Sequence, residues 1–223
     1  VATTCLSTNG DFPLCNSTSS AYIQTTASTG FDGFVAMFSP QTVLLWSTLI
    51  GGDGDDRLMD LAYNTATNQL VVGGNTKSFS QSSFTYTAGN CPASSSYLAL
   101  CQNGGYNQTE LNGDNTDQST TDGLLLRFND SKRLDWSTFF GGDGVDLISS
   151  VAISPPIPGQ GAATSRELII AGKTNTSTYG ANCSVPTNNG LPCCSTSTNY
   201  QQSYGGGTSD AFAAKFGYNT SLL

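Results

Sequence analysis

Histidine is absent from the 223 residues, and that absence closes off more chemistry than any other feature of the composition. Ser-His-Asp and Cys-His catalysis, His-ligated zinc and an imidazole proton shuttle are not open to this chain alone. Charge is scarce as well: charged residues make up 11% of the chain, against about 25% in an ordinary soluble domain. Lys and Arg number only eight, the net charge is −8 and the isoelectric point lies near 4.1. A nucleic-acid partner needs a basic surface to neutralise phosphate, so none is expected. No apolar run approaches the roughly 20 residues of a membrane span, and no signal peptide is visible. The chain opens at Val1 without Met, as a processed or excised piece would. Glu is nearly missing, with only Glu110 and Glu167 among 16 acids. In place of charge stand 28 Ser, 28 Thr and 17 Asn, with 25 Gly. These residues favour turns and caps over helix interiors, which argues against an all-α protein.

What the sequence does have is repetition. From Asp32 it reads DGFVAMF, VLLWSTLIGGDGDD, RLMDLAYN and QLVVGGNT; from Asp122 it reads DGLLLRF, RLDWSTFFGGDGVD, LISSVAIS and ELIIAGKT. Trp46 falls over Trp136, Ser47-Thr48 over Ser137-Thr138, and Gly51-Gly52-Asp53-Gly54 over Gly141-Gly142-Asp143-Gly144. A third copy opens at Asp210 with DAFAAKF. Recurrence at this period is the signature of a repeat architecture.

Each copy reads as four strands. Phe34, Ala36 and Phe38 share a face of the first, as do Leu124, Leu126, Phe128 and Phe212, Ala214, Phe216. In the second, Leu44, Trp46, Thr48 and Ile50 align, and so do Leu134, Trp136, Thr138 and Phe140. The third carries Leu58 and Leu61-Ala62 against Ile148 and Val151-Ala152. The fourth is an unbroken apolar run, Leu70–Val72 or Leu168–Ile170, suited to a strand covered on both faces. The expected fold is all-β, with four-stranded, β-propeller-like blades in tandem and long disulfide-closed loop inserts; a β-sandwich is the alternative. The expected division is an insert at 1–31, a repeat at 32–76, an insert at 77–121, a repeat at 122–176, an insert at 177–209, and the first strand of a third repeat at 210–223.

The series DGFVAMFSP, LLWSTLIGGDGDD, LVVGGNT, followed by an insert with Phe-Pro and Tyr-x-Gln, resembles the SBBP-type β-propeller repeat. The link between copies appears as GDFPLCNSTSSAYIQ at 10–24 and as NYQQ at 199–202. The resemblance spans both full units and the partial third. It implies a propeller of extracellular or surface proteins, and it brings no catalytic residues. The long inserts and their cysteines depart from the family pattern.

The inserts repeat too. Cys5 and Cys15, Cys91 and Cys101, and Cys183 and Cys193 share the spacing C-x9-C, each followed by a tyrosine at 22, 106 or 200. Three recurrences predict one disulfide inside each insert; a metal reading would need closer Cys pairs or His. Closing such a loop stabilises a segment with little core by about 2–3 kcal/mol, and it requires an oxidising compartment. Cys194 is left over: free, exchanged with Cys193, or joined to another chain. Asn-x-Ser/Thr occurs at Asn16, Asn107, Asn129, Asn175, Asn182 and Asn219, and glycosylation is expected on this chain, including sugars on the Ser/Thr tracts.

The segment Gly-Gly-Asp-Gly-Asp-Asp at 51–56 is the most suggestive chemically, because alternating carboxylates on a Gly-rich turn can hold Ca2+. Asp53 and Asp56 recur as Asp143 and Asp146, but Asp55 becomes Val145 and no bidentate Glu follows. The preferred reading is a tight turn, with Gly at positive φ and Asp side chains on backbone N–H groups. No cofactor is therefore expected. Asp32, Asp122 and Asp210 open the first strand of every copy and read as caps rather than chemistry. Trp46 and Trp136 read as core between units, while Tyr106, Tyr200 and Tyr204 are the better candidates to contact sugar or protein.

Two functions follow. The first is a non-catalytic structural module of an extracellular or cell-surface filament, sheath or stalk, partnered by copies of itself or further repeats of its own polypeptide. The second is an adhesin or lectin-like module that binds glycans or another cell. An enzyme would have to rest on a pair such as Asp53 and Asp56, which the repeat accounts for as turn residues. Two four-stranded units do not close a ring of the usual four to eight blades, so the missing strands are expected from elsewhere.

Overall fold

Alternating apolar residues bounded by Gly, Pro and Asn turns form strands throughout. The computed structural model describes residues 4–6, 12–16, 20–79, 86–87, 91, 93, 96–103, 105–111, 119–156, 166–180, 190–192, 205–217 and 222. It is all-β, and no α-helix occurs among these residues. The strands are β1 (Thr4–Leu6), β2 (Leu14–Asn16), β3 (Gly33–Phe38), β4 (Leu44–Ile50), β5 (Asp56–Asn64), β6 (Gln69–Thr76), β7 (Tyr86–Thr87), β8 (Cys101–Gln102), β9 (Asp122–Phe128), β10 (Leu134–Phe140), β11 (Asp146–Ile153), β12 (Leu168–Thr174), β13 (Tyr179–Gly180), β14 (Leu191–Pro192) and β15 (Asp210–Phe216).

Three antiparallel sheets carry the structure, in the orders β1-β2-β4-β3, β10-β9-β6-β5 and β11-β12-β15. Two short parallel pairs, β7-β8 and β13-β14, lie in the inserts. The sheets do not coincide with the sequence copies. β3 and β4 of the first copy stay in the first sheet, while β5 and β6 cross into the second and meet β9 and β10 of the next copy. The crossing falls at the Gly-Gly-Asp-Gly segment, which carries the chain to the neighbouring sheet instead of folding β5 back onto β4. The second sheet is thus a four-stranded meander, β5-β6-β9-β10, with insert 77–121 between its two middle strands.

Equivalent strands meet in the same register. Leu70, Val72, Gly74 and Thr76 face Phe128, Leu126, Leu124 and Asp122. Leu168, Ile170, Gly172 and Thr174 face Phe216, Ala214, Phe212 and Asp210 in the same order. The bulge between Leu58 and Asp60 recurs between Ile148 and Ser150. The turn after the first strand also recurs, with Thr42 and Lys132 both at φ 62.

Two cores lie between the three sheets, and strand alternation assigns residues to them. Val72, Leu124, Leu126 and Phe128 pack against Val35, Trp46 and Ile50 of the first sheet. Val71, Leu125 and Phe140 turn to the other side, against Ile148, Val151, Ile170 and Phe216 of the third. All of β9 and β10 is buried, as expected of strands covered on both faces. The tryptophans occupy matching places: Trp46 meets Phe128 edge-on at 5.2 Å, and Trp136 meets Phe216 at 5.8 Å. Each such fully buried side chain contributes about 1.5–3 kcal/mol. The first sheet departs from the expected pattern. Phe34 and Phe38 share a face as read from the sequence, but that face looks outward, with exposures of 58% and 59%.

Candidate functional site

The Trp-Ser-Thr triplet of each second strand clamps an insert through all three side chains. Trp46 Nε1 donates to Tyr22 O at 3.2 Å, and Trp136 Nε1 donates to Tyr106 O at 2.9 Å. Ser47 Oγ donates to Pro13 O at 2.5 Å; Ser137 Oγ donates to Ala99 O at 2.8 Å and accepts from Cys101 N–H at 2.7 Å. Thr48 Oγ1 accepts from Gln24 N–H and Thr138 Oγ1 from Gln108 N–H, at 2.9 and 2.7 Å. The Tyr-x-Gln link is therefore the docking segment of the insert. Its glutamine reaches further, since Gln24 Oε1 and Gln108 Oε1 accept Gly51 N–H and Gly141 N–H. Tyr106, put forward above as a contact for sugar or protein, is 1% exposed and so not placed to make one. Its hydroxyl donates to Gln108 Oε1 at 3.0 Å, and burial pushes its pKa well up. Tyr200 and Tyr204 lie outside the described residues.

The disulfides Cys5–Cys15 and Cys91–Cys101 are formed. The first joins opposed residues of β1 and β2, and Cys15 in turn faces Ser47 of β4. Such bonds belong to an oxidising, non-cytosolic environment. Cys183, Cys193 and Cys194 lie outside the described residues.

The Gly-Gly-Asp-Gly segments pair carboxylates from two strand starts. Asp56 Oδ2 accepts from Gly52 N–H at 2.9 Å and Ser78 Oγ at 2.6 Å. Asp146 Oδ2 repeats this with Gly142 N–H and Thr176 Oγ1, both at 2.8 Å. Gly54 N–H and Gly144 N–H close the turns onto the same hydroxyls. Asp53 Oδ1 accepts from Phe79 N–H at 3.0 Å, while Asp143 is exposed. The Asp-on-backbone part of the turn reading is what forms, but the glycine part is not: none of these glycines has positive φ. They are needed for room. A Cβ on Gly51 would overlap Asp32 Oδ1 and lie 3.0 Å from Asp56 Oδ2. One on Gly141 would come within 2.6 Å of Asp122 Oδ1 and 2.9 Å of Asp146 Oδ2.

Asp32 and Asp56 thus crowd one Cα, and Asp122 and Asp146 another. Two strand-opening aspartates cap backbone N–H groups as expected, Asp32 accepting from Ser28 N–H at 2.6 Å and Asp210 from Gly205 N–H, while Asp122 accepts from the side chain of Gln108, Nε2 at 3.0 Å. Burial raises the pKa of Asp56 to about 6 against the hydrogen bonds from Ser78, Thr76 and Gly52, and Asp32 raises it further. Burial likewise raises Asp32 and Asp146. Among the described residues, no three His, Cys, Asp or Glu side chains converge as metal ligands.

Sequence alone marks Gln24 only as the end of the Tyr-x-Gln link, with no bonding role, and leaves Gln108, Ser78 and Thr176 unassigned as partners of the turn. The signal for the last two was present, as Thr-x-Ser at 76–78 and Thr-x-Thr at 174–176 just beyond equivalent strands.

The described sequons differ in their surroundings. Asn107 Nδ2, the atom that would carry a glycan, donates to Ser137 O at 3.0 Å. Asn129 Oδ1 holds its turn through Ser131 and Arg133 N–H, Asn175 Oδ1 accepts from Val145 N–H, and Asn16 ends β2. Asn182 and Asn219 lie outside the described residues. A shallow cleft between the second and third sheets is lined by Asn64, Gln69, Arg127 and Arg166, with Arg127 paired to Asp135 at 2.9 Å. No helix among the described residues is long and apolar enough to cross a membrane. No protein-family model matches the sequence, and a search of curated proteins found no match.

Proposed function

We propose that this chain is a non-catalytic structural module of an extracellular or cell-surface assembly, built from β-propeller-like repeats of the SBBP type and bearing glycosylated inserts. One observation carries the reading. The second and third sheets pair equivalent strands in the same register, and each packs on the sheet before it through the same Trp–Phe contact beside the same acidic turn, so one packing rule is applied twice and is open to further application. The meander β5-β6-β9-β10 is the strand order of a propeller blade. The first two inserts are closed by disulfides and clamped to the second strand of their copies, which fits inserts that serve as carriers of sugar.

Sedimentation and electron microscopy of the native, full-length material test the reading, with a glycan array run on the same sample. Regular polymers or particles with a repeating subunit are the expected result. Saturable binding to a defined glycan by a non-polymerising protein would overturn it in favour of an adhesin or lectin-like module.

A further inference from the structure

The second sheet shows a complete neighbourhood, and the first sheet lacks part of it. β9 is paired along both edges, by β6 and by β10, and β15 is paired along the matching edge by β12. β3, their equivalent, is paired by β4 alone among the described residues. The shortfall continues onto the second sheet. Val151 of β11 is 7% exposed because β5 and β6 of the preceding sheet cover it; Leu61, at the same place on β5, is 56% exposed.

The covering hairpin does more than bury Val151. Asn75 Oδ1 accepts Ile148 N–H at 2.8 Å, and Asp60 Oδ2 accepts Val151 N–H at 3.0 Å. Gly73 makes room, since a Cβ there would lie 2.5 Å from Val151 Cγ1. On β5 the N–H of Leu61, the match of Val151, turns back to Asp60 Oδ1 instead.

We propose that the free edge of β3 and the uncovered side of β5 together receive a two-stranded antiparallel hairpin of the β5–β6 pattern. Its second strand lies along β3 in the repeated register, with Gly opposite Phe34 and Thr opposite Asp32. It carries Gly, Asp and Asn where Gly73, Asp60 and Asn75 stand, the last two to accept Leu61 and Leu58 N–H. End-to-end stacking of this chain on itself does not supply such a hairpin. The outward side of the third sheet has Ala171, Lys173, Ser150 and Ala211 at the places of Gly73, Asn75, Asp60 and Gly123, so it lacks the room and has neither the carboxylate nor the amide oxygen that accept there. In a second copy, β6 is already engaged with β9. The occupant is a hairpin from another repeat of this kind. The inference rests on the repeat reading above, but not on the extracellular role.

The test adds the hairpin in cis, because an isolated two-stranded hairpin is marginal in water. A second copy of Asp56–Thr76 is fused ahead of the full 223-residue chain through a flexible Gly/Ser linker long enough to reach β3. Hydrogen exchange is then read at residues 34–38. The native hairpin is expected to slow exchange there at least tenfold. A fusion carrying Asp60→Ser and Asn75→Lys in the added copy only is expected to protect about tenfold less. Unchanged exchange with both fusions, or equal slowing by both, would overturn the inference. Neither result bears on the polymer and glycan assays, so the two readings fail separately.

Discussion

Asp56 and Asp146 sit where an ionised carboxylate is costly, and the fold depends on them nonetheless. Each spends one oxygen on a glycine N–H and a hydroxyl, while the other oxygen is buried with no hydrogen-bond partner. Burial of the carboxyl, with the Asp32 carboxylate adding to it, raises the Asp56 pKa to about 6 from about 3.9 in an unfolded chain. The folded state therefore holds the proton on this carboxyl more tightly than the unfolded state. Its stabilising effect is full below about pH 4, is lost as pH rises toward about 6, and is gone above that, a swing on the order of 3 kcal/mol. Urea unfolding of the Asp56→Asn variant should show a flatter profile than the parent between those values; equal slopes would remove Asp56 as the cause. Added Ca2+ should leave both melting temperatures unchanged, whereas a Ca2+-dependent rise would place an ion at the pair. Gly51 is limited by space at the same spot. Gly51→Ala should cost about 1–3 kcal/mol through overpacking against Asp32, measured as a lower urea midpoint at constant m.

At the scale of the element, the second strand is an anchor for loops that could not fold by apolar burial alone. Ser137 both donates to Ala99 O and accepts from Cys101 N–H. Ser137→Ala should leave that buried N–H without an acceptor, cost about 1–3 kcal/mol, and speed exchange of the Cys101 amide. A Cys101 amide as protected as in the parent would show that the disulfide alone holds the insert. Non-reducing peptide mapping should recover Cys183–Cys193 as the third C-x9-C bridge, with Cys194 outside it; a bridge between inserts would break the pattern. Much of this was legible in the sequence. Alternation located the first two strands of each copy and an unbroken apolar run the fourth, the aligned tryptophans marked the cores, and the C-x9-C spacing marked the two bridges now seen. The role of the Ser and Thr beside Trp46 and Trp136 was not legible, because a hydroxyl on a strand gives no sign of which distant carbonyl it will meet. Tyr106 was misjudged for a related reason. Set in a polar insert, it has no apolar neighbours in sequence, and its burial comes from Phe140 and Phe216 across the fold.

At the scale of the whole molecule, the repeat unit and the sheet are out of phase by two strands. A sequence period fixes how often the pattern recurs, not where one sheet ends, and the Gly-Gly-Asp-Gly crossing decides that. The same phase leaves the first sheet with an open side. Phe34 and Phe38 are more than half exposed, while Leu124 and Phe128 at the same places in the next copy are fully buried. At that exposure each Phe forgoes about half of the roughly 1.5–3 kcal/mol of full burial, and the edge of β3 beside them, which no described strand pairs, is a template for strand pairing. The net charge of −8 opposes association, and that repulsion weakens as salt shortens the Debye length. Residues 1–223 are therefore expected to associate reversibly at micromolar concentration, and more strongly as ionic strength rises. Phe34→Ser with Phe38→Ser should return the protein to a monomer at a cost of only about 0.5–1.5 kcal/mol, for the Phe34 contact with Phe12 at 5.0 Å, since neither side chain is in either core. Sedimentation velocity across a salt series checks both parts. A parent that stays monomeric at high salt, or a double variant that associates as strongly as the parent, would show that this exposed face is not what draws the copies together.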